Sequence, residues 1–144
     1  TSDSHEVNSV VRNLARNIVR GDMDEALKLL QAFLSTVPYC DNTDYEGHYQ
    51  QMLYVIFSLL GIYTDVEVHT LKGRVDMVLR TKTTLYLVEL KLNQNAETAM
   101  KQIDLQQYAD RFALCGLPVV KVAINFSAET RTIADWVISR ETYA

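Results

Sequence analysis

The stretch GRVDMVLRTKTTLYLVELKL, residues 73–92, decides the fold of this chain. Its two halves, about 74–80 and 84–92, are rich in aliphatic and β-branched residues, and a short polar run separates them. Two such runs on either side of a polar turn predict a β-hairpin. The turn lacks the Asn-Gly or Gly of tight hairpins. A two- or four-residue loop preserves one register, whereas a slip of one residue would move each side chain to the other face.

The expected register brings two carboxylates together. With the turn centred between residues 82 and 83, Asp76 on the first strand lies opposite Glu89 on the second. Opposed residues of an antiparallel pair have Cβ atoms about 4.5–5.5 Å apart, where like charges repel. A divalent cation such as Mg²⁺, which binds carboxylate oxygens, would offset that repulsion. Because side chains alternate along a strand, Lys91 shares the face of Glu89 and would lie beside the cation.

A solvated strand face is the alternative interpretation of Glu89 and Lys91. The same face continues as Leu85 and Leu87, so it is not polar throughout. Apolar residues on that face favour coverage by helices. The two interpretations predict different surroundings for the carboxylates, one dry and one exposed.

Periodic patterns outside the hairpin predict an α/β fold. Apolar residues recur with a helical period in four segments and with a strand pattern in the others. The final segment is predicted as a strand, with a short helix as the alternative. The order α-α-α-β-β-β-α-β, which precedes this final segment, indicates a mixed central sheet flanked by helices, behind an N-terminal helical hairpin. The expected elements are helices at about 6–20, 23–36, 44–60 and 95–115 and strands at about 62–70, 74–80, 84–92, 119–126 and 131–138.

Length and composition are those of one folded domain. The chain has 144 residues, of which 48% are apolar, a usual fraction for a globular core. No stretch approaches the roughly 18 apolar residues of a membrane span, and the N-terminus lacks the features of a signal peptide. We therefore expect a cytoplasmic protein. The chain does not begin with Met, so we also expect it to be a fragment of a longer protein. Cys40 and Cys115 have no metal-ligand spacing and are expected as reduced thiols, with a disulfide as the alternative.

Charge is distributed unevenly along the chain. Residues 1–70 contain four Lys or Arg and ten Asp or Glu, whereas residues 71–144 contain ten and eight. The net charge of −4 does not indicate a general nucleic-acid binder. The half with the Asp76–Glu89 pair is nevertheless net positive. A local positive rim around that pair is one interpretation, and ordinary scatter of charge is the other.

These residues resemble the PD-(D/E)xK nuclease superfamily. The closer likeness is to the nuclease-like domain found C-terminal to predicted AAA-type ATPase modules in bacterial proteins. The likeness covers roughly residues 44–138 and is specific in its order and spacing. One departure is Gln106, where the family often has Lys. The matching residues are Tyr45-Glu46, Gly73 to Asp76, Glu89 to Lys91, Gln102-Ile103 with Tyr108, and Asn125 to Ser127.

The resemblance implies a restriction-endonuclease-like core, α-β-β-β-α-β, over residues 41–144, with residues 1–40 as an accessory helical hairpin. It implies metal-dependent hydrolysis of phosphodiester bonds in DNA or possibly RNA. The implied cofactor is Mg²⁺ or Mn²⁺. Nucleic acid and an upstream ATPase domain are the implied partners. The alternative function is a non-enzymatic nucleic-acid or protein interaction module with the same fold.

The implied metal ligands extend the carboxylate pair. Asp76 and Glu89 would bind the cation, with the backbone carbonyl of Leu90 as a further ligand. Glu46 would contribute through water. Its alternative role is to complement the dipole of the helix that it begins. Glu67, on the strand before the hairpin, is instead expected on a solvated face.

Two further residues complete the implied chemistry. Lys91 would orient or help deprotonate the attacking water and offset charge on the phosphate. Gln102, on the helix after the hairpin, would donate its amide to the scissile phosphate or to a catalytic water. The alternative for Gln102 is an ordinary amide on a helix surface.

Overall fold

Four helices and five strands make up the described part of the chain. The structure is a computed structural model, and it describes residues 2–36, 46–70, 73–102 and 116–141. The elements are α1 Ser2–Val19, α2 Met23–Thr36, α3 Glu46–Leu59, β1 Tyr63–Thr70, β2 Gly73–Arg80, β3 Leu85–Leu92, α4 Ala96–Gln102, β4 Val119–Ser127 and β5 Thr132–Glu141.

The strands form one sheet in the order β1-β2-β3-β4-β5. The pair β3–β4 is parallel, and the other three pairs are antiparallel. Parallel strands need a crossover, and the segment containing α4 supplies it. The predicted α-β-β-β-α-β order with a mixed sheet is confirmed. The strand prediction for the last segment is also confirmed, and the helical alternative is wrong.

The hairpin between β2 and β3 has the register expected from its sequence. Arg80 pairs with Leu85, and the amide of Thr81 donates to the carbonyl of Thr84 at 2.9 Å. The hydroxyl of Thr81 accepts from the amides of Thr83 and Thr84 at 3.3 and 3.1 Å. These hydrogen bonds of the Thr81 side chain stabilise the turn without the Gly or Asn that is usual in tight hairpins.

The sheet is covered differently on its two faces. Helices α1, α2 and α3 pack on one face, where Tyr49 stacks on Phe126 with ring centroids 4.3 Å apart. Helix α4 covers the other face, where Ala96 and Ala99 pack against Ala123. The sheet therefore separates a large core from a smaller layer under α4.

The N-terminal helices form a hairpin tied to the edge strand β5. Asp22 Oδ1 accepts from the amide of Glu25 at 3.3 Å, which caps α2. Gln31 Nε2 donates to the backbone carbonyl of Ile133 at 2.8 Å. The backbone carbonyl of Gln31 accepts from the hydroxyl of Thr132 at 2.7 Å. These contacts attach the hairpin to the sheet, whereas a division of the chain at residue 40 stays a prediction.

The structure changes one predicted boundary and leaves other predictions outside its described ranges. Helix α1 begins at Ser2, earlier than its apolar period indicated. Predictions for residues 103–115, with Tyr108 and Cys115, and for Cys40 concern parts of the chain outside the described ranges. Among the described residues, no helix is both long and apolar enough to cross a membrane.

Candidate active site

The antiparallel ladder between β2 and β3 stops one residue before Asp76 and Glu89. Its backbone pairs run from the hairpin to Met77 opposite Val88. Continued by one residue, this register would bring Asp76 opposite Glu89, which stays a prediction because the recorded pairs end at Met77. There the Oδ2 atom of Asp76 accepts a hydrogen bond from the backbone amide of Leu90 at 2.8 Å. A side-chain carboxylate thus continues the connection between the strands where the backbone pairs end.

Helix α3 reaches the same point from the other face of the sheet. Gln50 Nε2 donates to the backbone carbonyl of Asp76 at 3.0 Å. Glu46 begins α3, four residues and about one turn before Gln50. The backbone therefore brings the start of α3 to the Asp76 end of β2. The side chain of Glu46 lies outside the described part of the structure, so its contribution to a metal site stays a prediction.

Glu89 is buried on the face that α4 covers. Its side chain is 8% exposed, and its neighbour in the parallel β3–β4 register is Ala123. Ala123 in turn packs against α4. A buried carboxylate is stable only when it is hydrogen-bonded, paired with a charge or bound to a metal. The burial of Glu89 confirms the expectation of a covered face, and the solvated-face alternative is wrong for this residue.

Lys91 lies on the same face as Glu89, two residues farther along β3, and it is half-buried. Lys91 forms no ion pair with a carboxylate among the side chains that the structure describes. The ammonium of Lys91 is thus not committed to a described carboxylate. It can meet a negatively charged group that enters beside Glu89.

Strand β1 places a further carboxylate position, Glu67, beside Asp76. The β1–β2 register, with Val66 opposite Met77, places Glu67 opposite Asp76 on the edge side. Asp76 and Glu89 follow on the next two strands. The side chain of Glu67 is outside the described set, so the expectation of a solvated face remains a prediction.

The donor atoms of the described site are oxygens. Among the described side chains, no group of three or more His, Cys, Asp or Glu could hold a metal ion, and Glu46 and Glu67 are not in that set. Asp76 and Glu89 supply two carboxylates, and the backbone of Leu90 lies beside them. Two carboxylates with backbone and water oxygens suit Mg²⁺ or Mn²⁺.

Helix α4 lies above this face through Ala96 and Ala99. Gln102 is the last residue of α4, and its side chain is outside the described set. The structure thus places the backbone of Gln102 on the helix that covers Glu89. Its predicted contact with a phosphate stays a prediction.

Two polar residues beside the site received no role from the sequence, although Asn125 is among the residues that carry the family resemblance. Asn125 is 4% exposed in the otherwise apolar strand β4, and Asp135 contacts it from β5. The signal for Asn125 was present, because a lone polar side chain in the run VVKVAINF needs a buried partner. Nothing in the sequence around Asp135 indicated that it is that partner.

Comparison with known proteins identifies the family. The sequence profile of the PD-(D/E)XK nuclease superfamily matches residues 44–136. The chain belongs to this superfamily. The match contains the carboxylate pair and Lys91, and the five-stranded mixed sheet flanked by helices is the restriction-endonuclease-like arrangement of PD-(D/E)XK proteins.

One relative of this PD-(D/E)XK chain is an uncharacterized protein in the vnfD 5′ region of Azotobacter chroococcum mcd 1. It is 29% identical over an alignment of 128 positions, and the alignment covers 84% of this chain and 25% of that protein. The chain thus spans about a quarter of the length of this relative. No solved structure matches the chain.

Proposed function

We propose that this domain is a Mg²⁺- or Mn²⁺-dependent nuclease that hydrolyses phosphodiester bonds of DNA or RNA. One observation carries the proposal. In a chain of the PD-(D/E)XK superfamily, Asp76 of β2 accepts the amide of Leu90 on β3, next to the buried Glu89, and Lys91 follows on the face of Glu89. This is an oxygen donor set with a cation beside it.

The carboxylates would bind the divalent cation. Oδ2 of Asp76 receives the amide of Leu90, and no described residue donates to Oδ1, so we assign Oδ1 to the cation. Glu89 would supply a second oxygen, the carbonyl of Leu90 a third, and Glu46 would act through water. A bound Mg²⁺ or Mn²⁺ polarises the phosphoryl oxygen and lowers the pKa of bound water.

Lys91 and Gln102 would act on the substrate. The ammonium of Lys91 would orient the attacking water and offset the negative charge that develops on the phosphate. The amide of Gln102 would donate to the scissile phosphate or to the water. Burial of Glu89 under α4 favours these interactions, because charges attract more strongly where water is excluded.

The substrate and partners of the whole protein belong to the same proposal. The relative is about four times as long as the match, which supports a domain that works within a longer chain. An upstream ATPase domain is the partner implied by the sequence resemblance, and nucleic acid is the implied substrate. We place this protein in the cytoplasm.

A non-enzymatic interaction module is the second candidate function. The net charge of −4 and Gln106 in place of a family Lys favour weak or absent catalysis. The described pair Asp76–Glu89 favours the nuclease, because a module without a cation gains nothing from opposed carboxylates.

Cleavage assays decide between the two. End-labelled single- and double-stranded DNA and RNA are incubated with Mg²⁺, Mn²⁺ or EDTA. The nuclease requires cleavage that depends on metal and is lost in Glu89→Gln, while Glu129→Gln, an exposed Glu in the β4–β5 turn, cleaves normally. Binding of nucleic acid or of a partner protein without cleavage in any metal would favour the module.

A further inference from the structure

A buried hydrogen-bond network joins the end of β3 to β4 and β5. Asn125 Nδ2 donates to Asp135 Oδ1 at 2.8 Å and to the carbonyl of Gln94 at 3.0 Å. Asn125 Oδ1 accepts from the amide of Gln94 at 3.0 Å. Both ends of the Asn125 amide therefore have matching partners. This fixes the orientation of the side chain.

Asp135 extends the network to α4. Its Oδ2 atom accepts from the backbone amide of Ala96, the first residue of α4, at 2.9 Å. Asn95 Oδ1 accepts from the amide of Thr98 at 2.7 Å and caps the same helix end. The start of α4 is thus held both by its own cap and by a carboxylate from β5.

A β-bulge directs Asp135 toward α4. The β4–β5 register shifts between Asn125 and Phe126, because Ala134 has no partner on β4. Residues two apart in a regular strand share a face. Here Ile133 instead packs in the main core, while Asp135 reaches the α4 face. Bulges commonly redirect a side chain next to a functional site.

The turn after β3 is fixed at its other end as well. Asn93 has a left-handed backbone, with φ of 56°. Its amide donates to the carbonyl of Phe126 at 2.8 Å, and its Oδ1 accepts from the amide of Ala128 at 3.0 Å. With the bonds to Gln94 and Ala96, the whole connection from β3 to α4 is held against β4 and β5.

This connection adjoins the proposed site. Lys91 pairs with Asn125 in the parallel β3–β4 register, and Asn125 pairs with Asp135 across β4–β5. On the same face of the sheet, the next row of these two strands holds Ala123 and Val137, which are apolar and pack under α4. Packing alone therefore does not require a polar pair here, and the pair occurs in the row of Lys91.

We infer that Asn125 and Asp135 are positioning residues for the nuclease. They hold the β3–α4 turn and the start of α4 so that Lys91, and the helix that covers Glu89, keep their place relative to Asp76. Neither residue needs to touch the substrate. The inference rests on the proposed function. A misplacement of about 1 Å can lower a rate 10²-fold.

An exchange of the two polar groups tests the inference. Asp135→Asn turns an amide donor toward either Ala96 or Asn125, and Asn125→Asp opposes two carboxylates. The double variant N125D/D135N restores an amide–carboxylate bond with reversed polarity and keeps acceptors for the amides of Ala96 and Gln94, while the carbonyl of Gln94 loses its donor. Asp65→Asn, at an exposed position of β1, is the control for the loss of one carboxylate.

Two readouts separate positioning from general stability. Amide hydrogen exchange at Gln94 and Ala96, measured by NMR on the metal-free protein, reports the network itself. Single-turnover cleavage at saturating Mn²⁺ and substrate, with KM and Mn²⁺ affinity measured separately, reports its effect on the reaction. All are recorded at a temperature where each variant is folded.

We expect D135N to lose exchange protection at Ala96 and to cleave about 10–100-fold more slowly, as is typical when a supporting hydrogen bond at a metal site is removed. KM and Mn²⁺ affinity should change little. The double variant should exceed both single variants in exchange protection at Ala96 and in rate, without reaching the wild type, because the bond to the Gln94 carbonyl is not restored. If D135N does not fold, Asp135→Ser, which introduces a small hydroxyl and no unpaired amide, replaces it.

Several results would overturn the inference. Folded single variants that cleave at the wild-type rate would show that the network does not position the site. A double variant that regains protection at Ala96 but not the rate would show that the lost rate has another cause. A wild-type chain that neither binds Mn²⁺ nor cleaves any substrate would instead overturn the proposed function, and the positioning role with it.

Discussion

The carboxylate of Asp76 accepts a hydrogen bond from the backbone amide of Leu90, with Oδ2 and N separated by 2.8 Å, where the β2–β3 ladder ends. One side chain thus has two roles. It joins the strands, and in the proposed nuclease it binds a cation. The two roles can be separated by comparing a substitution that removes only the charge of Asp76 with one that also removes the hydrogen-bond acceptor.

Asp76→Asn keeps an oxygen for the Leu90 amide and removes the negative charge opposite Glu89. We expect the metal-free variant to melt at the wild-type temperature or above it, because repulsion between the two carboxylates is lost. Wild type should gain stability with Mn²⁺, by about 2.7 kcal/mol when the free ion is at 100 times its Kd. The variant should gain much less. Thermal unfolding with and without Mg²⁺ or Mn²⁺ measures both effects.

Asp65→Asn is the matched control for that comparison, since Asp65 is exposed on the neighbouring strand β1. It should respond to Mn²⁺ like the wild type. A wild type whose melting temperature is indifferent to both ions would count against a functioning metal site.

Asp76→Ala removes the acceptor together with the charge. The amide of Leu90 then lacks its partner in the interior of the sheet, which should cost about 1–3 kcal/mol. We therefore expect Asp76→Ala to be less stable than Asp76→Asn in metal-free buffer, by chemical denaturation at one temperature. Equal stability of the two variants would mean that the bond to Leu90 contributes nothing measurable.

Gln50 connects α3 to the same residue through the carbonyl of Asp76. Gln50→Ala should lower stability by about 0.5–1.5 kcal/mol, the usual net contribution of one hydrogen bond. It should also weaken Mn²⁺ binding, because the end of β2 loses its support from α3. Gln51→Ala, at the exposed adjacent position of α3, is the control and should leave both measurements unchanged. The connection would be refuted if the two variants behaved alike.

The hairpin and its register could be predicted because both depend on local sequence. Two apolar runs flank a short polar turn, and a turn centred between residues 82 and 83 gives the observed pairs from Arg80–Leu85 to Met77–Val88. Burial alone does not select this register, because both faces of β3 are buried from Leu85 to Leu90; the turn selects it, with the Thr81 hydroxyl bound to the amides of Thr83 and Thr84. A one-residue slip would have exchanged those faces.

Contacts between distant segments could not be predicted in the same way. The approach of Gln50 to Asp76 depends on how α3 packs across the sheet. The contact of Asp135 with Asn125 depends on the bulge at Ala134. Ala134 has no local feature, such as Gly or Pro, that marks an unpaired residue. Such contacts follow from tertiary packing rather than from the period of the sequence.

Lys91→Ala tests the proposed chemistry most directly. The ammonium lies two residues beyond Glu89 on the same strand face and forms no ion pair with the side chains that the structure describes. Its charge should matter mainly where negative charge develops on the phosphate, which is an effect on the transition state. We expect cleavage with Mn²⁺ to fall about 10²–10³-fold, the usual loss for one such contact. Mn²⁺ affinity should be nearly unchanged, because an ammonium is not a metal ligand.

Lys101→Ala, which removes an exposed Lys from α4, is the control and should cleave normally in a parallel assay on one DNA substrate. Equal cleavage by Lys91→Ala and wild type would assign the activity to another group or to a contaminant, and cleavage by neither would favour the interaction module.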